Sequence, residues 1–354
     1  MRAMHLWVVL ALLDVAAAVV HLHMNQSLIA EERGPRIYFL FLAVDKIFNL
    51  EVWTAFFNSA DKEQYRAFAH CKEQSCQQQL AGSPIMPVPT VPSKYCKDLV
   101  SPMNQLLSYA LSNDLGAGNA RDKFAFVSDS TLPAKPFLHI HQVWSQREGS
   151  DFCVAPPADW AEVPAGGDAF QMAVKTSQWS TLTREHAQRA VEQWQKNVMR
   201  NLMIDFEMNQ RGGKNSADKR NTGCLDEFWF VTALFGPLKR ASPDANEPID
   251  LPRFTGSPLQ IDHKAGWQGQ CDTFVIWAKH TNSLGQNSTL DPASIPHGAT
   301  ARPGWWDTIS MQGIQAIRKS DFLFARKFID KPSLHDGDSF AAAYTRIIVK
   351  DDLP

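Results

Sequence analysis

The chain has no excess of either charge. Its 35 Lys+Arg balance 37 Asp+Glu, a net of -2 over 354 residues, and the two signs are mixed along the sequence. No basic stripe is available to neutralise a phosphate backbone, which excludes a dedicated nucleic-acid binder. There is no CxxC and no Cys/His pattern at metal spacing, which excludes a structural zinc site. No internal repeat or low-complexity tract is present, so solenoid and fibrous architectures are excluded too. The only Asp-x-Asp is Asp336-Gly337-Asp338, past the last strand-like run, where Asp and Gly read as a surface turn. Long hydrophobic runs are scarce. The longest opens the chain at Leu6 and ends near Val20, about 15 residues against the about 20 a membrane span needs.

That run follows Arg2 and is followed by small residues. Residues 1–23 therefore read as a signal peptide or an uncleaved signal anchor. Either one places the remainder in the lumen of the secretory pathway, secreted or held as a type II membrane protein. The six cysteines, Cys71, Cys76, Cys96, Cys153, Cys224 and Cys271, allow up to three disulfides in fifteen pairings. Cys71, Cys76 and Cys96 lie close enough for a local bridge. The sequons at Asn25 and Asn287 agree with a lumenal glycoprotein.

At 44% hydrophobic and 20% charged, the chain has a globular balance. Residues 36–44 are continuously apolar, as expected for a strand buried on both faces of a parallel sheet. Helical spacing over 50–57 and a second strand over 65–70 complete a βαβ order. The four prolines within 81–95 predict an exposed loop. Further helices are expected at 101–113, 136–144 and from a Thr183 cap for about 20 residues, with another over 305–317. A loop is expected at 154–167. Strands are expected at 123–128, 271–277 and 322–328.

The segment 224–236 concentrates the chemistry. Asp226 and Glu227 head a short helix, Phe228 to Phe235, that is apolar on most faces and so must be buried. A carboxylate at the edge of a core can be oriented as a general base. The same pair also reads as an ordinary helix start, with Asp226 as the cap and Glu227 complementing the helix dipole. A strand running into the small polar turn Ser128-Asp129-Ser130-Thr131 is the usual place for ligand groups in an open α/β sheet. Arg326 and Lys327 adjoin on a buried-looking strand, where alternation sends one toward a site and the other toward solvent.

Six segments, taken together and in order, resemble one family. They are 36–41 with Trp53 and Phe56-Phe57; Phe126 to Pro133; Ser177-Gln178-Trp179 with Leu182, Arg184, His186 and Ala187; Asp226-Glu227-Phe228-Trp229 with Thr232; Thr273 to Trp277; and Ser320 to Phe328, which contains FLFARKF. The chain resembles the core-2/I-branching β-1,6-N-acetylglucosaminyltransferases, glycosyltransferase family 14, in their plant-like branch. The resemblance covers about residues 33 to 330 and implies a single glycosyltransferase domain over 33–350. The implied fold is α/β, a GT-A-like α/β/α sandwich with a mostly parallel central sheet. The implied activity is inverting, metal-independent transfer of a sugar, N-acetylglucosamine first, from a UDP-sugar to a hydroxyl of a glycan or glycoprotein in the Golgi lumen. Relatives also use UDP-xylose or UDP-glucuronic acid. No cofactor is implied beyond the UDP-sugar substrate.

The resemblance carries the general base to Glu227 and the diphosphate contact to Lys327, with Arg326 beside it. Lys279, where plant relatives have an arginine, and Arg302 are the alternatives for a second cation. Asp129, which replaces the usual glutamate, with Ser177, Gln178, Trp179 and Asp226, are the expected substrate contacts. Leu225 stands where the family has proline. These departures, and the long 279–304 loop, leave a second reading: a noncatalytic glycan-binding or scaffold protein on the same fold.

Overall fold

A computed structural model describes residues 34–113, 118–164, 170–196, 224–236, 238–239, 249–251, 259–261, 267–275, 304–334 and 339–352. The expected leader at 1–23, Lys279, Arg302, the Asp336–Asp338 turn and the far end of the helix expected to run past Gln195 lie outside them.

The chain opens with β1 (Ile37–Ala43) and α1 (Leu50–Asn58), then β2 (Tyr65–Cys71) and α2 (Gln74–Gln79). A two-residue strand β3 (Met86–Pro87) and the helix α3 (Val100–Ser112) lead to β4 (Lys123–Ser128) and β5 (Thr131–Pro133). Next come α4 (Phe137–Gln146), β6 (Cys153–Val154), β7 (Ala161–Pro164), β8 (Phe170–Ala173), β9 (Thr181–Thr183), α5 (Arg184–Gln195) and α6 (Asp226–Phe235). Short strands β10 (Leu238–Lys239), β11 (Ile249–Leu251), β12 (Leu259–Ile261), β13 (Gln268–Gly269) and β14 (Thr273–Val275) precede β15 (Trp306–Ile309), α7 (Met311–Lys319), β16 (Phe324–Arg326), β17 (Phe328–Leu334) and α8 (Phe340–Tyr344).

The main sheet has the order β3-β2-β1-β4-β9. Its first four strands are parallel and β9 runs antiparallel at the edge. The architecture is therefore mixed α/β around a mixed sheet. β1 is central because it can be buried on both sides. Ile37, Phe39 and Phe41 enter one core with Trp53, Phe56, Phe137, Trp144, Ile314 and Tyr344. Tyr38 and Leu40 enter the other with Met103, Leu106, Ala187, Phe228 and Trp229. Helices thus pack on both faces, and each fully buried aromatic contributes about 2–3 kcal/mol.

The sequence signals for α1, β2, α3, β4 and α4 coincide with the elements to within a few residues. The Thr183 cap is real: its hydroxyl accepts the His186 N–H at 3.2 Å. Three expectations need correction. The proline-rich stretch 81–95 is not wholly an exposed loop. Met86 and Pro87 pair with the edge of β2, and Ile85 and Val88 are buried; proline is tolerated on an edge strand, where its missing donor costs no rung. The stretch expected to be loop from 154 likewise contains β7. The helix expected over 305–317 begins only at Met311, capped by Ser310. Trp306 is held instead as a strand residue, stacked on Phe328 at 4.5 Å.

All six cysteines pair: Cys71–Cys76, Cys96–Cys224 and Cys153–Cys271. The first is the local bridge expected from spacing. Three disulfides point to an oxidising, secretory-type compartment. Among the described residues no helix is long and apolar enough to cross a membrane.

Candidate active site

β1 and β4 end side by side, and the chain turns there at Asp129. The Asp129 N–H donates to the Leu42 carbonyl at 3.0 Å, and its own carbonyl accepts the Phe48 N–H at 2.9 Å. Ser128 and Thr131 share a hydroxyl contact of 2.7 Å that closes the turn. β5 then pairs antiparallel with β16, setting Arg326 opposite Thr131. Two distant parts of the sequence therefore meet at the carboxyl ends of parallel strands, where ligands bind in open α/β sheets.

Arg326 and Lys327 converge there. The Arg326 guanidinium lies over the Trp179 ring, 4.3 Å from its centroid, and its Nε is buried with no hydrogen-bond partner among the described residues. Burial pulls this guanidinium down to about 10, against the attraction of Asp129. The Lys327 ammonium lies 5.2 Å from the Trp305 ring centroid. Burial and then the neighbouring Arg326 push it down to about 8, again opposed by Asp129. Burial in turn raises the Asp129 carboxyl, while Arg326, the Ser130 hydrogen bond and Lys327 restrain the rise. Among the described residues one carboxylate thus serves two desolvated cations, and their balance favours an added anion. The expected alternation of Arg326 and Lys327 does not hold. Lys327 lies between β16 and β17, outside either ladder, so strand periodicity does not govern it and both cations act on the same carboxylate.

Glu227 sits at the head of α6. The helix is buried from Phe228 through Leu234, as its apolar faces require. The capping assignment of the two carboxylates is reversed. Leu225 already has helical angles and no side chain caps the helix from the preceding position, so Asp226 begins the first turn as a buried residue. Glu227 performs the capping: its Oε2 accepts the Cys224 N–H at 2.8 Å, the back-reaching half of a capping box. The same oxygen is 3.6 Å from the Lys175 ammonium, and the Glu227 side chain remains 26% exposed. Cys224 is fixed in turn by its bridge to Cys96.

The segment 175–179 joins these two places. Lys175 pairs with Glu227 at one end, and the Thr176 N–H donates to the Glu227 carbonyl at 2.7 Å. Trp179 lies under Arg326 at the other end. The segment is held by Ser177 N–H to the Cys153 carbonyl at 2.7 Å and Ala155 N–H to the Lys175 carbonyl at 2.9 Å. Ser177, Gln178 and Trp179 are all half-buried on it. Trp229, by contrast, is core, edge-on to Trp194 at 5.0 Å.

Sequence reasoning gave Trp305 no part in the site, because a Trp-Trp pair before a helical pattern carries no sign of which ring stays exposed. Nor did it find a buried ion cluster elsewhere in the fold. There, Arg147 Nη1 contacts Asp151 at 2.8 Å and both Asp272 oxygens at 2.8 and 2.9 Å, and the Trp144 indole donates to Asp272 at 2.9 Å. Burial and the neighbouring Asp272 push the Asp151 carboxyl up to about 7. Among the described residues no group of three or more His, Cys, Asp or Glu is arranged to hold a metal ion. Compared with known proteins, the chain matches no family model and no curated protein.

Proposed function

We propose that this chain is an inverting glycosyltransferase on a GT-A-like α/β/α fold. It takes a sugar, N-acetylglucosamine first, from a UDP-sugar and transfers it to a hydroxyl of a glycan or glycoprotein, without a metal ion, in the Golgi lumen. One observation carries the reading most directly: Arg326 and Lys327 converge beside a single carboxylate at the carboxyl edge of a parallel sheet. Such a pair is suited to a leaving diphosphate, because charge-assisted bonds strengthen where water is excluded. Glu227 supports the reading from the other end of 175–179.

In the reaction, the acceptor hydroxyl gives its proton to the Glu227 carboxylate as its oxygen attacks the anomeric carbon. The bond from that carbon to the diphosphate oxygen breaks on the opposite face, so configuration inverts. Lys327 and Arg326 neutralise the departing UDP. Trp179 keeps the Arg326 plane in place, and in this reading Asp129, Ser177 and Gln178 take sugar hydroxyls.

The test is a binding screen of the whole chain against UDP-sugars, followed by linkage analysis of the product. Glu227→Gln retains an oxygen that can accept the Cys224 N–H, so the helix cap survives while the base is removed. UDP binding should persist and transfer should fall by about 10²–10⁴-fold, the usual contribution of a positioned base. Wild-type turnover in that variant refutes the assignment, and strict dependence on manganese refutes the metal-free mechanism. A second reading, a noncatalytic glycan-binding protein, draws on the fact that Glu227 already accepts a backbone N–H. Retained glycan binding with no transfer from any UDP-sugar would favour it.

A further inference from the structure

Asn49 stands at the cap position of α1, where asparagine ordinarily accepts the helix's first free N–H groups. Here it does not: its side chain makes no cap hydrogen bond. It is 1% exposed and spends both of its polar atoms on a distant strand. Its Nδ2 donates to the Ile329 carbonyl at 2.8 Å, and its Oδ1 accepts the Lys331 N–H at 3.0 Å. The side chain thereby mimics a rung of sheet against residues 329–331, two residues beyond Lys327. Between these bonds, the Asn49 N–H donates to Asp330 Oδ1 at 3.3 Å, and Asp330 Oδ2 takes the Lys46 ammonium at 2.8 Å. Asn49 holds a left-handed backbone, φ 52° and ψ 45°, which asparagine tolerates better than most residues.

The same turn grips the other half of the anion site. The Phe48 N–H donates to the Asp129 carbonyl at 2.9 Å. The Phe48 ring lies 6.1 Å from the Trp305 ring over which Lys327 rests. Residues 46–49 therefore touch the carboxylate's backbone, the aromatic partner of the lysine and the strand that follows the lysine.

We propose that Asn49 is a positioning residue for the anion site, fixing Lys327 relative to Asp129 through its two bonds to residues 329–331. The proposal rests on the reading of Lys327 as a phosphate contact. With the clamp removed, β17 can drift outward and Lys327 gains water. Among the described residues the charged groups acting on that ammonium are Arg326 and Asp129; neither is altered by a change at position 49.

The experiment titrates inorganic pyrophosphate and UDP into the full chain by calorimetry from pH 7 to 9, below the range where Arg326 loses its proton, for wild type, Asn49→Gly, Asp330→Asn and Lys327→Met, the last supplying the baseline for the ligand's own ionisation. Glycine suits the left-handed backbone, so Asn49→Gly deletes the clamp alone. It should weaken pyrophosphate by at least about tenfold, as misplacement of a binding group does. It should also move the pH midpoint of binding upward from about 8. Asp330→Asn should shift both in the same direction by less, and it decides the question if Asn49→Gly does not fold. Binding and midpoint unchanged in both variants, with binding lost in Lys327→Met, overturns the clamp alone. Equal weakening with an unmoved midpoint marks general loosening and overturns it as well. Binding that is absent in wild type, or equal in wild type and Lys327→Met, refutes the phosphate reading itself.

Discussion

Raising the pH from 7 to 9 should weaken diphosphate binding about tenfold, and Lys327 should be the cause. Its ammonium is held at about 8 by burial and by Arg326. With a midpoint of about 8, about nine-tenths of the chains carry the charge at pH 7 and about one-tenth at pH 9. A bound diphosphate restores the proton, so the apparent dissociation constant rises in inverse proportion to the charged fraction, about tenfold over this interval. The second ionisation of a phosphate lies near about pH 6, so the ligand's phosphate charge changes little between pH 7 and 9. Calorimetric titration of UDP at four pH values measures the slope. Lys327→Arg keeps its charge throughout and should flatten the profile, whereas Lys327→Met should be weak at every pH. A wild-type profile that is flat between pH 7 and 9, or one that Lys327→Met reproduces, refutes the reasoning. Without ligand the sign reverses for folding. The folded chain binds fewer protons at Lys327 than the unfolded chain between about pH 8 and about 10, so this group makes stability rise with pH there.

The buried ion cluster should give an opposite slope at lower pH. Asp151 is held at about 7 against an ordinary 3.8, so the folded chain holds the extra proton and this group's contribution falls as pH rises from about 4 to about 7, by at most about 1.4 kcal/mol per unit. Asp151→Asn should flatten that slope in urea unfolding at pH 5 and 7; an unchanged slope assigns it elsewhere. Opening the Cys96–Cys224 bridge, which spans 128 residues, by replacing both cysteines with serine should cost about 2–5 kcal/mol. It should also reduce transfer more than UDP binding, because Cys224 holds Glu227 while Lys327 lies elsewhere. Equal losses in both assays would show that the bridge serves only the fold.

Much of the fold was legible locally. The apolar run 36–44 can be satisfied only by burial on both faces, and β1 is central for that reason. Thr183 followed by a helical pattern located its cap to the residue. A local bridge among Cys71, Cys76 and Cys96 was expected, and Cys71–Cys76 forms it, while Cys96 pairs with distant Cys224. The misreadings share a cause. Prolines at 84–92 speak against a ladder, yet an edge strand needs only some of its donors, and Trp305-Trp306 fits a helix until Phe328 claims the second ring.

At the candidate site the division is sharper. Carboxylates and cations beside apolar runs brought Asp129, Glu227, Arg326 and Lys327 to notice as residue types, and the resemblance to glycosyltransferase family 14 supplied the roles expected of Glu227 and Lys327. Neither could assign their partners. That Glu227 rather than Asp226 closes its helix depends on the angles of Leu225 and the position of Lys175. That Arg326 and Lys327 act on one carboxylate depends on β16 pairing with β5 across nearly 200 residues of chain. Local propensity encodes which groups sit at the ends of elements. Which ends meet is settled by the long-range packing that buries both faces of the sheet, and the desolvation that shifts Lys327 exists only once they have met.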